Sequence, residues 1–183
     1  MNLIKSKVSE TGIPFVYCNL VGAQDELIFD GQSLVFDSSG NLIGQGNAFE
    51  EDLLFIDLDK ANTIEIKSES REEKIYGALV LGVRDYFCKT GHKEAVIGLS
   101  GGIDSSITAC IAVDALGADC VHGVSMPSKY SSEHSKDDAK ILAENLGIDY
   151  RSIPIESMVE SFDDSLAESF VNTQSGVAEE NIQ

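Results

Sequence analysis

Apolar residues fall along this chain in two different rhythms, and the rhythm changes near residue 72. Before that point they come in short runs of strand length. Ile13-Pro14-Phe15-Val16-Tyr17-Cys18 is one, and Leu27-Ile28-Phe29 leads through Asp30-Gly31 to Ser33-Leu34-Val35-Phe36. Asp37-Ser38-Ser39-Gly40-Asn41 carries the residues that favour turns, Leu42-Ile43 follows, and Leu53-Leu54-Phe55-Ile56-Asp57-Leu58 reads as a last apolar strand. These runs predict hairpins, preceded by part of a helix, in a sheet that needs further strands to bury its faces. From Glu72 the spacing turns helical, with Ile75, Leu79, Val83 and Phe87 recurring on one face. Strands are then predicted at 95–99, 120–126 and 150–155. Helices are predicted at 107–116, 131–146 (closed by Gly147) and 158–170. Alternation of this kind defines an α/β fold with a doubly wound parallel sheet, whose ligands bind at the carboxyl ends of the strands. The reading gives residues 1–59 as one domain's end, 60–71 as a polar linker and 72–183 as the beginning of a second domain. Only three parallel strands are expected in that second part, so the chain reads as a slice across a domain junction.

Composition narrows the partners. A chain of 183 residues has room for one domain or parts of two, and 43% hydrophobic with 24% charged residues is ordinary for a globular protein. The formal net charge is −18, with no Lys or Arg from Val8 to Asp59 and none after Arg151. Such a surface repels nucleic acid and anionic membrane, and neither is expected as a partner. Cys18, Cys88, Cys110 and Cys120 lack CxxC spacing, and His92, His122 and His134 lack metal-ligand spacing. The cysteines are expected to be small core hydrophobes in a reducing compartment. No run is long enough to cross a bilayer and no signal peptide is evident, so the expected location is the cytoplasm.

The chemistry concentrates in Ser100-Gly101-Gly102-Ile103-Asp104-Ser105-Ser106, between the apolar run Ala95-Val96-Ile97-Gly98-Leu99 and an apolar helix. Glycines let the backbone take unusual φ values and leave room for a ligand beside the main chain. Unpaired N–H groups at a helix start, backed by the helix dipole, favour phosphate. The segment is neither a Walker loop nor a G-x-G-x-x-G fingerprint. A plain turn with a helix cap would also accommodate Gly-Gly-x-Asp-Ser.

The segment resembles the SGGxDS pyrophosphate loop of the N-type ATP pyrophosphatases. A wider resemblance runs along nearly the whole chain. Val16 to Ser33 is similar to the end of the nitrilase-like glutaminase domain of glutamine-dependent NAD synthetases. Gly98 to Ser105, Met126-Pro127-Ser128-Lys129-Tyr130 and Ala178 to Gln183 are similar to their synthetase domain. GMP synthetase and asparagine synthetase share the loop, but the stretch from Val21 to Ser33 fits neither of their glutaminase domains. A nucleotide-binding piece without catalysis is the alternative from another class.

The resemblance implies an ATP-dependent amidation of deamido-NAD to NAD through an adenylated carboxylate, with ammonia taken from glutamine. It implies ATP bound by Gly98, Leu99, Ser100, Gly101, Gly102, Ile103, Asp104 and Ser105, with the adenine against the strand end Val124-Ser125-Met126, where Met126 can pack on its face. It also implies Mg²⁺ held by Asp104, and a homo-oligomeric parent enzyme. The family's Glu-Lys-Cys glutaminase set is expected upstream of this stretch, and the rest of the deamido-NAD site downstream of it. Cys18 aligns with a later strand position, where a core thiol serves, so the slice is expected to lack glutaminase activity, to be inactive alone and to bind ATP weakly at most. Its exposed strand edges should favour self-association.

Overall fold

The structure, a computed structural model, describes residues 2–129 and 131–168. The Ala178–Gln183 segment, Tyr130 and the end of the helix expected to reach residue 170 lie outside the described residues. Compactness divides the chain into two units, residues 1–91 and 92–183.

In the first unit, helix α1 (Asn2–Thr11) precedes β1 (Phe15–Tyr17), β2 (Val21–Gln24), β3 (Leu27–Asp30), β4 (Leu34–Phe36) and β5 (Leu42–Gln45). β1, β4 and β5 form an antiparallel sheet, and β2 and β3 form a separate hairpin. Val8 of α1 packs with Phe36 and Leu42 in a small core. The Asp37–Asn41 turn closes on itself, because the Asp37 carboxylate accepts from the Ser39 and Asn41 amides at 2.9 and 2.8 Å. Those bonds, led by the Asn41 side chain, hold the Asp37 carboxyl below its usual range. Helix α2 (Arg71–Thr90) begins with a capping box in which Ser70 Oγ accepts from Glu73 N–H and the Glu73 carboxylate accepts from Ser70 N–H. It ends on Gly91 in the left-handed region.

Four expectations change here. Residues 53–58 are not a strand. Leu54 and Ile56 lie over Gly44, but Leu53 and Phe55 are 77% and 85% exposed. The side chains alternate as on a strand, yet no strand among the described residues pairs with the backbone. The helical face of α2 is also shifted. Ile75 and Leu79 are exposed, while Leu81 is buried and Gly77 faces Phe49. The strand at β2 escaped the apolar pattern because Val21-Gly22-Ala23-Gln24 is short and half polar. Finally, the cysteines are not core residues. Cys18 lies just past β1 and Cys88 in the last turn of α2, both exposed, and Cys110 and Cys120 are half-buried.

The second unit alternates strand and helix as expected: β6 (Ala95–Gly98), α3 (Ile103–Leu116), β7 (Val121–Ser125), α4 (Glu133–Leu146), β8 (Asp149–Ser152) and α5 (Glu156–Leu166). The sheet is parallel with order β6-β7-β8. Its described strands step in one direction, and α3 and α4 pack together against the sheet. Their core comprises Leu99, Ala109, Ala112, Val121, Ala139, Ala143 and Ile148. Gly123 makes room for it, since a Cβ there would lie 2.6 Å from Leu99 Cδ1. Gly147, with φ of +69°, and Ile148 close α4 by donating to the Glu144 and Ala143 carbonyls. Pairing continues beyond β8, where Ile153 and Ile155 N–H donate to the Ser125 and Pro127 carbonyls at 2.8 and 3.0 Å.

Candidate functional site

Leu99 extends the sheet by one bond, its N–H donating to the Val124 carbonyl at 2.8 Å, and the chain then leaves the sheet at Ser100. Gly101 takes φ of +80° and Gly102 caps α3 without a side chain. Three hydroxyls set this turn. Ser100 Oγ accepts from Gly102 N–H at 3.2 Å and lies 3.1 Å from Ser105 Oγ. Ser105 Oγ and Ser106 Oγ reach the Gly102 carbonyl at 3.0 and 2.8 Å. The first intrahelical bond runs from Ser106 N–H to Gly102 O, so the amides of Ile103, Asp104 and Ser105 have no intrahelical acceptor. They stand at the positive end of a 14-residue helix.

A cavity of about 470 Å³ opens beside this turn at the carboxyl ends of β6 and β7. Of the residues expected at the site, Gly98, Leu99, Ser100 and Met126 line it. Gly101 to Ser105 continue from its wall onto the first turn of α3 and are not part of the lining. Leu99 as a whole is only 2% exposed, so it offers the cavity little surface. Ile103 is 79% exposed and points its side chain to solvent. The Asp104 carboxylate is exposed on the first helical turn, and no hydrogen bond or ion pair engages it among the described residues. Met126 is half exposed, and its N–H and carbonyl make no hydrogen bond within the described chain.

Beyond Ser125 and Met126 of the expected strand end, the structure adds residues that sequence patterns did not single out. Ser125, Ser131, Ser132, Ser135 and Lys136 form the side of the cavity made by β7 and α4. Ser125 is 5% exposed, and its hydroxyl has no hydrogen-bond partner among the described residues. Ser132 caps α4 by accepting from Ser135 N–H at 3.1 Å, so a second helix start meets the same space. Lys136 is the one cation among the lining residues; it bonds Glu133 at 2.8 Å and holds that carboxyl below its usual range. The legible signal was topology. Every loop at the carboxyl edge of a parallel sheet borders the same crevice, and Lys136 lies one helical turn beyond Ser132.

Gly101 has a different reason for being glycine than ligand approach alone. A Cβ there would overlap the Ser135 carbonyl and lie 2.7 Å from the Ser135 Cα. The turn is packed directly on the first turn of α4. Gly102, with φ of −86° and only Ser100 Oγ nearby at 3.3 Å, is far less constrained.

A parallel α/β sheet ending in a glycine turn, with two helix starts and a lysine around one cavity, defines an α/β protein with an anion-accepting crevice. Comparison narrows the class. Residues 75–183 match the NAD synthase family and residues 1–68 the carbon–nitrogen hydrolase family. The chain belongs to the NAD synthase family. It is 44% identical, over its full length, to the glutamine-dependent NAD(+) synthetase of Synechocystis sp. and 38% identical to that of Aquifex aeolicus, covering 34% and 38% of those proteins. It superposes with a TM-score of 0.89 on the glutamine-dependent NAD+ synthetase of Acinetobacter baumannii in complex with ADP. That match has 37% identity and covers 98% of this chain and 35% of that one. The chain thus spans about a third of the length of these relatives. No helix among the described residues is long and apolar enough to cross a membrane, and none of their His, Cys, Asp and Glu clusters could by itself hold a metal ion.

Proposed function

We propose that residues 98–105 bind the phosphates of ATP, as part of an enzyme that amidates deamido-NAD to NAD through an adenylated carboxylate. Ammonia would come from glutamine, released by the domain whose end residues 1–59 form, and residues 72–183 would begin the synthetase domain. The observation that carries the reading is the glycine turn with three unengaged helix amides beside a 470 Å³ cavity. The names of the relatives, and the ADP bound to one of them, support it.

The chemistry suits the geometry. A carboxylate oxygen leaves poorly, and adenylation converts it into a good leaving group. Fixed N–H donors at Ile103, Asp104 and Ser105 then face the charge that develops on departing pyrophosphate, without reorganisation. The free N–H and carbonyl of Met126 offer the donor and acceptor an adenine edge needs, and the thioether can rest on the base. Ser125 and Lys136 extend the polar wall. Asp104 supplies an exposed carboxylate oxygen for Mg²⁺. That ion keeps several waters and phosphate oxygens, so a single protein carboxylate fits it. When bound, Mg²⁺ neutralises phosphate charge. An acidic chain of net charge −18 needs such local compensation to accept a polyphosphate. Family membership also supports a cytoplasmic, homo-oligomeric parent enzyme.

Equilibrium dialysis of the chain with ATP, with and without Mg²⁺, tests the reading. Binding should require Mg²⁺, weaken about tenfold or more in Asp104→Asn, and be competed by pyrophosphate. Binding that is indifferent to both Mg²⁺ and Asp104→Asn would overturn the assignment of the metal to Asp104. Absence of competition by pyrophosphate would overturn the phosphate loop.

A further inference from the structure

The two family matches and the two compact units divide this chain at different places. The hydrolase match ends at residue 68 and the synthase match begins at 75, yet the units meet between Gly91 and His92. Helix α2 lies between these divisions. Its sequence belongs to the synthase stretch, and its packing belongs to the first unit.

Side-chain chemistry fastens it there. Asp85 and Lys89 are one turn apart on α2 and pair at 2.8 Å. The Asp85 carboxylate accepts from Ala23 N–H at 2.7 Å, and Lys89 Nζ donates to the Ala23 carbonyl. Ala23 stands opposite Ile28 in the β2–β3 hairpin, so the groups it offers to α2 are those of the outer edge of β2. One ion pair therefore satisfies both main-chain groups of an edge residue, as a neighbouring strand would.

Shape fastens it a second time. α2 carries glycines at 77 and 82, although glycine weakens a helix interior. A Cβ at Gly77 would lie 2.7 and 2.8 Å from the Phe49 ring, and one at Gly82 would lie 3.3 Å from Ile28 Cδ1. Both are notches filled by residues of the hydrolase stretch. Phe49 reaches its notch with φ of +58°, a conformation that bulky residues rarely adopt, and its N–H is tied to the Asp30 carbonyl at 2.9 Å. Leu81, 5% exposed, lies between the notches.

The polar run before α2 is tied down as well. Ile64 N–H donates to Leu42 O at 2.8 Å, and Lys67 exchanges two bonds with the Gln45 side chain. It follows the edge of β5 and does not hang free.

From this we infer that α2 is an arm of the hydrolase-like unit, docked through its Gly77–Gly82–Asp85–Lys89 face. The joint between the two family stretches then lies at Gly91–Lys93, after the helix, and not in the polar run 60–70.

Hydrogen exchange of the 183-residue chain along a urea series tests this without any nucleotide, so its outcome is independent of the ATP reading. Peptides from 71–90 should lose protection together with those from 15–45, at a different urea concentration from those of 95–152. Gly77→Ala gives a test of sign. Helix propensity alone would slow exchange in α2, whereas the filled notch speeds it at least fivefold in 71–90 and 15–45 and leaves 95–152 unchanged. Asp85→Asn, which keeps the shape and removes the charge, should act in the same two regions. Exchange of 71–90 in step with 95–152, or slower exchange of α2 in Gly77→Ala, would overturn the inference.

Discussion

Gly101→Ala adds one carbon at the point where the glycine turn rests on α4. The residue sits at φ of +80°, and its new Cβ would lie 2.7 Å from Ser135 Cα. A left-handed conformation costs a non-glycine residue about 1–2 kcal/mol. Overpacking against a backbone that cannot rotate away adds about 1–3 kcal/mol. Together they remove about 2–5 kcal/mol from a unit whose whole stability is on the order of 5–15 kcal/mol. Each kcal/mol shifts the melting of a domain this size by about 4–8 °C, so a fall of roughly 10 °C or more is expected. Scanning calorimetry of the chain measures it, with Gly102→Ala as the internal comparison. Gly102 has an ordinary φ and only a movable hydroxyl nearby, so that variant should lose about 1 kcal/mol or less. ATP affinity should fall with stability in Gly101→Ala, because the loop must move off Ser135 and carries its amides with it. If Gly101→Ala melts within about 2 °C of the parent, a change worth under about 0.5 kcal/mol, the packing argument is refuted. If it then still loses ATP, the glycine serves ligand approach alone.

Three further outcomes follow from the same geometry. Lys136→Met should weaken ATP binding several-fold by equilibrium dialysis, since it removes the one cation among the described residues that line the cavity; unchanged affinity would place the phosphates elsewhere. Asp85 titrates below its ordinary range, chiefly because Lys89 and then Ala23 N–H bond its charged form. Its folded-state value is depressed, so its stabilisation is full above the unfolded carboxylate range and is lost as pH falls below about 4. Denaturant melts of residues 1–91 within the chain should therefore steepen in pH dependence there, and Asp85→Asn should flatten that slope. Incubation with glutamine should release no more ammonia from the chain than from Cys18→Ser, because Cys18 is an exposed thiol with no activating lysine or histidine bonded to it among the described residues.

The alternating half of the chain was readable because each level agreed. Ala95–Gly98 and Val121–Ser125 are apolar runs of strand length, and Gly147 closes α4 in the left-handed conformation its position suggests. The glycine turn was legible for the same reason: a strand end, two glycines and a helix start have few other uses together. The first half misled where side-chain pattern and backbone pairing part company. Leu53 to Leu58 alternate like a strand, but Leu54 and Ile56 find Gly44 to cover while no strand offers the backbone a ladder. In α2 the apolar stripe of Ile75 and Leu79 was the obvious face, yet the helix packs through two glycines and a charged pair. Notches and edge-capping ion pairs depend on a partner distant in sequence, so periodicity carries no trace of them. Lys136 was invisible for a related reason, since only the sheet order brings β7 and α4 to the turn after β6.

The central claim is that the turn after β6 and the end of β7 form one ATP site. Amide chemical-shift mapping of the isotope-labelled chain with Mg²⁺ and a non-hydrolysable ATP analogue tests it most directly, and reads even weak binding. The account predicts shifts at Gly101, at Ile103 to Ser105, and at Ser125 and Met126, with pyrophosphate alone reproducing those at the turn but not those at Met126. Shifts confined to other surfaces, or a turn that stays unperturbed while the analogue binds, would contradict it.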